Sequence, residues 1–173
     1  GVDTNTKTVK GRKRGYMTGI CYLAPANESG VVNLCKWASR GCKRACLNTA
    51  GRGQMPSVQA ARIKKTIAWH ENPDGWLEKA ADEITALSTR ALKNGLTPCV
   101  RLNGTSDEEW EKYPIHGAEN IFRLFPEMIF YDYTKSSKRC IENRIPNYHL
   151  TFSRSESNEH HVKKVIDHGG INI

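Results

Sequence analysis

Strand-like and helix-like segments alternate along this chain, and that alternation leaves few folds open. Residues 16–23, YMTGICYL, are rich in β-formers. A turn follows at Pro25, Asn27, Ser29 and Gly30. A helix is expected from Pro56 or Ser57, with Val58, Ala61, Ile63, Ile67 and Ala68 on one face. Pro73-Asp74-Gly75 breaks it. Trp76, Leu77, Ala80, Ala81, Ile84, Leu87 and Leu92 then recur at three- and four-residue steps, up to Asn94-Gly95. Short strands are expected at 99–102, 128–133 and 148–153, with a helical turn from Asp107 to Lys112 after the first of them. A helix capped by Ser157 or Asn158 runs to Gly169-Gly170, and a last strand begins at Ile171. Strand and helix in this alternation give an α/β fold with a mostly parallel sheet, either a partial β/α barrel or an open sheet with helices. The 173 residues fit a single domain, 1–173, with a basic N-terminal arm over 1–15 read as extended. The chain stops in Gly170-Ile171-Asn172-Ile173, which reads like mid-strand. The expectation is a C-terminally truncated domain or an edge strand.

The densest chemical signal is the loop 35–53, CKWASRGCKRACLNTAGRG. Cys35, Cys42 and Cys46 are spaced C-x6-C-x3-C. Soft thiolates select zinc, copper(I) or iron–sulfur centres. The six-residue first gap fits poorly with zinc sites, whose ligands come two to four apart in pairs. The reading is a [4Fe-4S] cluster, with zinc as the alternative, held by Cys35, Cys42 and Cys46. A fourth ligand is open unless Cys21, Cys99 or Cys140 supplies it. Arg40, Lys43 and Arg44 are expected to lower the thiol pKa values. Inert buried thiols and a disulfide remain the competing readings.

The net charge of +8 is uneven. Residues 1–70 hold thirteen Lys or Arg against two acids, a net of +11, and residues 71–173 carry a net of −3. No acid lies between Glu28 and Glu71. Such a field attracts nucleic acid or a nucleotide. Arg40, Lys43, Arg44, Arg52 and Arg62 are the candidate anion contacts. No apolar run spans a membrane and no signal segment opens the chain, so a cytoplasmic protein with no membrane partner is expected. Oligomeric state is not readable. The polar residues after each strand form an expected rim: Asn103, Thr105, Ser106 and Asp107, then Thr134 and Lys135, then Ser153, Arg154 and Ser155.

Weaker candidates are a histidine metal site at His160, His161 and His168, and a magnesium-binding carboxylate set at Asp107, Glu108 and Glu109. Others are a tyrosine nucleophile at Tyr131 or Tyr133, and a phosphate cradle at Gly51-Arg52-Gly53.

Several blocks resemble a phage family. They are NTKT at 5–8, YLAPANESG at 22–30, CLNTAGRG at 46–53, the Ala61-Arg62 and Lys65-Thr66 steps, RLNGTSD at 101–107 and YDYTKS at 131–136. Together they resemble the gene-product-eighty-eight domain family of phages and prophages over nearly the whole chain. The resemblance implies a protein of the infected or lysogenic host's cytoplasm, and family members that continue past this C-terminus. The layout is also distantly similar to radical S-adenosylmethionine enzymes, which place a three-cysteine loop after the first strand of a partial barrel. That similarity implies S-adenosylmethionine as cofactor. Asn103, Gly104, Thr105, Ser106 and Asp107 would lie near its amino group, and Ser153 and Arg154 near its ribose or carboxylate. The chain departs from that superfamily's C-x3-C-x2-C spacing. It has Leu47 rather than an aromatic residue beside the last cysteine, and it lacks the glycine-glycine-glutamate element. These departures favour cluster binding over radical chemistry. The competing class is a non-enzymatic basic nucleic-acid-binding protein of phage replication or host takeover, with structural cysteines.

Overall fold

The β-rich runs form strands that pair in the order in which they occur. The computed structural model describes residues 6–169, 171 and 172. In it, β1 (Tyr16–Ile20), β2 (Thr97–Arg101), β3 (Ile129–Thr134), β4 (Tyr148–Phe152) and β5 (Ile171–Asn172) make one sheet in the order β1-β2-β3-β4-β5. Every neighbouring pair is parallel. Parallel neighbours need crossover connections, and these are right-handed. A sequential order wound with one hand carries its connecting helices on one face of the sheet. The described strands form the expected α/β arrangement, an open all-parallel sheet that does not close into a barrel. All strand C-terminal ends meet along one edge.

The helices are α1 (Thr6–Arg12), α2 (Arg40–Arg44), α3 (Pro56–Glu71), α4 (Pro73–Lys93), α5 (Ile121–Leu124), α6 (Ser137–Glu142) and α7 (Val162–Asp167). The helix α4 buries Leu77, Ala81, Ile84, Leu87 and Ala91, an i, i+3/i+4 stripe, against β1 and β2. Its contact with β1 is close: a Cβ on Gly19 would stand 2.8 Å from Leu87 Cδ2. Gly19, Val100, Phe130 and Tyr148 are in register, so one side-chain row crosses the core. Asn72 caps α4 by accepting from Gly75 N, with Pro73 in the first turn. At the junction of α3 and α4, Trp69, Trp76, Trp110 and Tyr113 cluster. Trp76 and Trp110 stack at 5.0 Å and 9°.

Three expectations need correction. The N-terminal arm is not wholly extended, because Thr6–Arg12 is helical and packs on β1; residues 1–5 lie outside the described set. Lys10 and Arg12 fall in its last turn, where cations suit the helix dipole. The segment from Asp107 to Lys112 is not a helical turn throughout: only Trp110–Lys112 form a 3₁₀ turn. The first strand ends at Ile20 rather than residue 23, because Cys21 N donates to Arg101 O and Cys21 O accepts from Gly104 N, tying the chain to the β2 loop.

Candidate functional site

The cysteine loop leaves β1 at the C-terminal edge of the sheet and folds back over it. Asp107 N donates to Leu34 O at 2.7 Å, and Thr105 Oγ1 donates to Leu23 O. Both bonds fix the loop's entry against the β2 loop. Ser39 caps α2 by accepting from Cys42 N at 3.0 Å. Glu156, from beyond β4, accepts from Gly41 N at 2.8 Å and Ser39 Oγ at 2.9 Å. The acid-free stretch of sequence therefore receives its carboxylate from a distant segment. Donors at the α2 start hold the Glu156 carboxyl below the usual range.

Cys35, Cys42 and Cys46 line one cavity of about 400 Å³, together with residues of the 25–28 turn, Lys43, Asn48 and Thr49. All six cysteines are unpaired. Cys21 lines a different cavity beside Lys65, Cys99 lies in β2 and Cys140 in α6. Cys35 Sγ donates to Thr105 O at 3.7 Å, and Cys46 Sγ accepts from Asn48 N at 3.4 Å. Burial pushes the Cys35 thiol up to about 11, with Asp107 and the two neighbouring cysteines adding to the rise. Cys42 is also raised by burial, against a downward pull from Lys135. The expectation that Arg40, Lys43 and Arg44 lower these pKa values is therefore corrected. The three cations are exposed, where water screens their charge, so desolvation of the thiols wins.

Among the described residues no group of three His, Cys, Asp or Glu side chains is close enough to hold a metal ion. This applies to the histidines as well: the His160 and His161 ring centres lie 4.0 Å apart with the planes tilted by 44°, and His168 Nδ1 lies 2.8 Å from Lys164 O. The three acids diverge. Asp107 pairs with Arg139, Glu108 accepts from Tyr113 Oη, and Glu109 pairs with Lys36 and Lys112.

The β2 loop turns its polar groups inward. Asn103 is fully buried. Its Oδ1 accepts from Ser106 Oγ, Glu108 N and Trp110 Nε1, and its Nδ2 donates to Glu108 O. Gly104 has no room for a side chain, since a Cβ would meet Cys21 O at 2.5 Å. Asp107 accepts from Thr134 Oγ1, Lys135 N and Arg139 Nη1. Arg139, from α6, also grips Glu111 with Nε and Nη2 and donates to Tyr148 Oη. Ser153 and Arg154 sit one loop away: Lys135 Nζ donates to Ser153 Oγ at 3.2 Å and to Arg154 O, while Arg154 forks onto Glu159. Lys135 thus bridges the β3 and β4 loops beside Cys42. Tyr133 lies under the Arg101 guanidinium at 4.7 Å.

Arg40, Lys43, Arg44 and Arg52 are exposed, and among the described residues none pairs with an acid. Arg62 differs from them. It is only 8% exposed, donates through Nη1 to Asn48 Oδ1, and lies 5.1 Å from the Tyr22 ring centre. It belongs under the cysteine loop rather than on a surface patch.

The Gene product 88 family model matches residues 2–173. The chain belongs to the Gene product 88 family. This is the phage family whose sequence blocks the chain resembles. No curated protein and no solved structure matches it. In this Gene product 88 chain, sequence reasoning placed Lys135 on the rim but missed Glu156, Arg139 and Asn48. Only Asn48 carried a signal, its place two residues after Cys46.

Proposed function

We propose that this Gene product 88 chain is an iron–sulfur-cluster protein of radical S-adenosylmethionine type, acting on or near nucleic acid. Cys35, Cys42 and Cys46 would be the cluster ligands. The observation that carries the reading is that these three thiols, and none of the other three cysteines, line one cavity at the C-terminal edge of a sequentially ordered parallel sheet. A cluster is larger than a single ion and holds its ligand sulfurs farther apart, which suits thiols that share a cavity without converging on one point. Metal binding deprotonates such thiols, and it offsets the burial that now keeps Cys35 neutral. When bound through three thiolates, a four-iron cluster supplies one-electron reduction and leaves one iron open to a further donor. Of the residues implied for the cofactor, Asn103 and Asp107 are engaged internally, so the reading rests on the cysteines.

The test is anaerobic purification followed by iron, zinc and acid-labile sulfide per chain, with the visible spectrum. About four irons and four sulfides, lost on Cys35→Ser, Cys42→Ser or Cys46→Ser, is the expected result. Absence of iron after reconstitution overturns it. One observation favours a second reading, a nucleic-acid-binding protein with structural cysteines. Arg40, Lys43, Arg44 and Arg52 form an exposed basic rim without acid partners among the described residues. Salt-dependent binding that survives replacement of all three cysteines would support it.

A further inference from the structure

Beside the cysteine cavity lies a larger, open one of about 940 Å³, bounded by the first half of α3, the 3₁₀ turn at Gly51–Gln54 and Tyr22. Three of its lining residues are cations, Arg52, Arg62 and Lys65, and none is an acid. Ser57, in the first turn of the sixteen-residue α3, lines it as well, so the positive end of that helix faces the same space. The remaining wall is apolar: Val9, Leu47, Val58 and Ala61, with Thr105 at the sheet edge.

Arg62 is the decisive residue. It is more than nine-tenths buried and forms no ion pair among the described residues. Its Nη1 is held by Asn48, and its Nε–H has no hydrogen-bond partner. Buried charges are ordinarily paired, and buried N–H groups are ordinarily satisfied. Arg62 lines this cavity, whose charged lining residues are all cations, and the fork of a guanidinium matches the geometry of a phosphate. Arg52 sits in a tight turn of the cysteine loop: a Cβ on the neighbouring Gly53 would stand 2.7 Å from Leu47 O.

We propose that this cavity binds the phosphate of a nucleotide, with Arg52, Arg62 and Lys65 on the phosphate and the Val9–Leu47–Val58 wall against the nucleoside. Three cations with no carboxylate call for a group of more than one negative charge. A zwitterionic amino acid group would leave them unbalanced. The volume exceeds what one phosphate fills and falls within the range of small-ligand sites. Free nucleotides and nucleic-acid ends share this chemistry. The inference goes beyond the cluster reading and does not depend on it.

The experiment uses the full chain after chelator treatment, so that it reads the same whether or not the cysteines hold iron. Calorimetric titrations compare a nucleoside 5′-monophosphate, the parent nucleoside, inorganic phosphate, and a short single-stranded oligonucleotide with and without a 5′-phosphate. The expected result is that the 5′-monophosphate binds at least tenfold tighter than the nucleoside, weakens with salt, and loses roughly tenfold or more in each of Arg52→Ala and Lys65→Ala. Both replaced residues are exposed, so these variants are expected to fold. Arg62→Gln, checked by circular dichroism, adds the buried donor to the series. If only the oligonucleotides bind, and the 5′-phosphate and the two cations both matter, the source is a nucleic-acid end. Equal affinity for nucleoside and nucleotide overturns the proposal. So does binding unchanged in both variants, or no binding of any phosphate-bearing probe.

Discussion

Replacing Arg139 with Met tests the network beneath the rim most directly. The Arg139 side chain is 5% exposed and serves two carboxylates at once: Nε and Nη2 on Glu111 at 2.6 and 2.8 Å, and Nη1 on Asp107 at 2.6 Å. R139M keeps most of the volume and removes every donor. Asp107 and Glu111 then face each other without a cation. Breaking a buried pair by removing one partner costs about 3–5 kcal/mol, because a charge is left uncompensated. For a chain of this size that is a fall in Tm of roughly 6–20 °C. The loss has a pH signature. Burial already raises the Asp107 pKa in the folded protein, and Arg139 is the main force pulling it down. Without Arg139 the folded pKa rises further, while the unfolded value stays put. A raised folded pKa means stability that is present at low pH and is lost as pH climbs through that pKa. R139M is therefore expected to lie closest to wild type in acid and to fall away toward neutral pH. Urea unfolding of both proteins at pH 4.5, 6 and 7.5 measures this. A penalty below about 1 kcal/mol, or one independent of pH, would refute the account of Arg139 as a desolvated counterion.

Three further outcomes are expected. Asp132, buried in β3, has its carboxyl pushed up to about 7 by burial. Wild type should lose roughly 1.4 kcal/mol per pH unit relative to Asp132→Asn as pH rises from about 4 to 7, and parallel denaturation curves would contradict this. Trp110→Ala removes a fully buried ring stacked on Trp76 and should cost about 3–5 kcal/mol, with loss of the near-ultraviolet dichroism of the cluster. Gly53→Ala drives a methyl group against Leu47 O and Asn48 O and should cost about 1–3 kcal/mol; under the proposed cluster reading it should also lower the iron retained per chain, and unchanged iron loading would separate the turn from the cysteine site.

The sequence was most readable where one segment carries its own evidence. Leu77, Ile84 and Leu87 repeat over a long helix, and the β-rich runs at 16, 129 and 148 are short and bounded by turns. The α6 segment SKRCIE has six residues, too few for a period, so nothing marked Arg139 as an interior cation. Glu156 finds Ser39 and Gly41 across more than a hundred residues, a pairing that local chemistry does not announce. Asn103 shows the reverse error. A polar residue after a strand reads as a ligand contact, yet Trp110, Ser106 and Glu108 consume its groups. Arg62 sits among Lys64 and Lys65 in sequence, and only the folding of the cysteine loop over α3 sets it apart.

The strand order also sets a timetable. Phe130 pairs with Tyr148, a closure of about 18 residues, but Tyr16 reaches Thr97 only across about 80 residues. Loop-closure entropy makes the longer step costlier by about 1.3 kcal/mol, on top of the slow search that distant parallel pairing entails. The β3–α6–β4 unit, with Phe122 stacked on Tyr148 at 3.8 Å, can therefore assemble early and β1 joins late. On a ribosome the three cysteines emerge first and wait for Thr105 and Asp107 to be made, since those residues anchor the loop. Until then the loop lacks the two hydrogen bonds, from Thr105 to Leu23 and from Asp107 to Leu34, that house its thiols at the sheet edge.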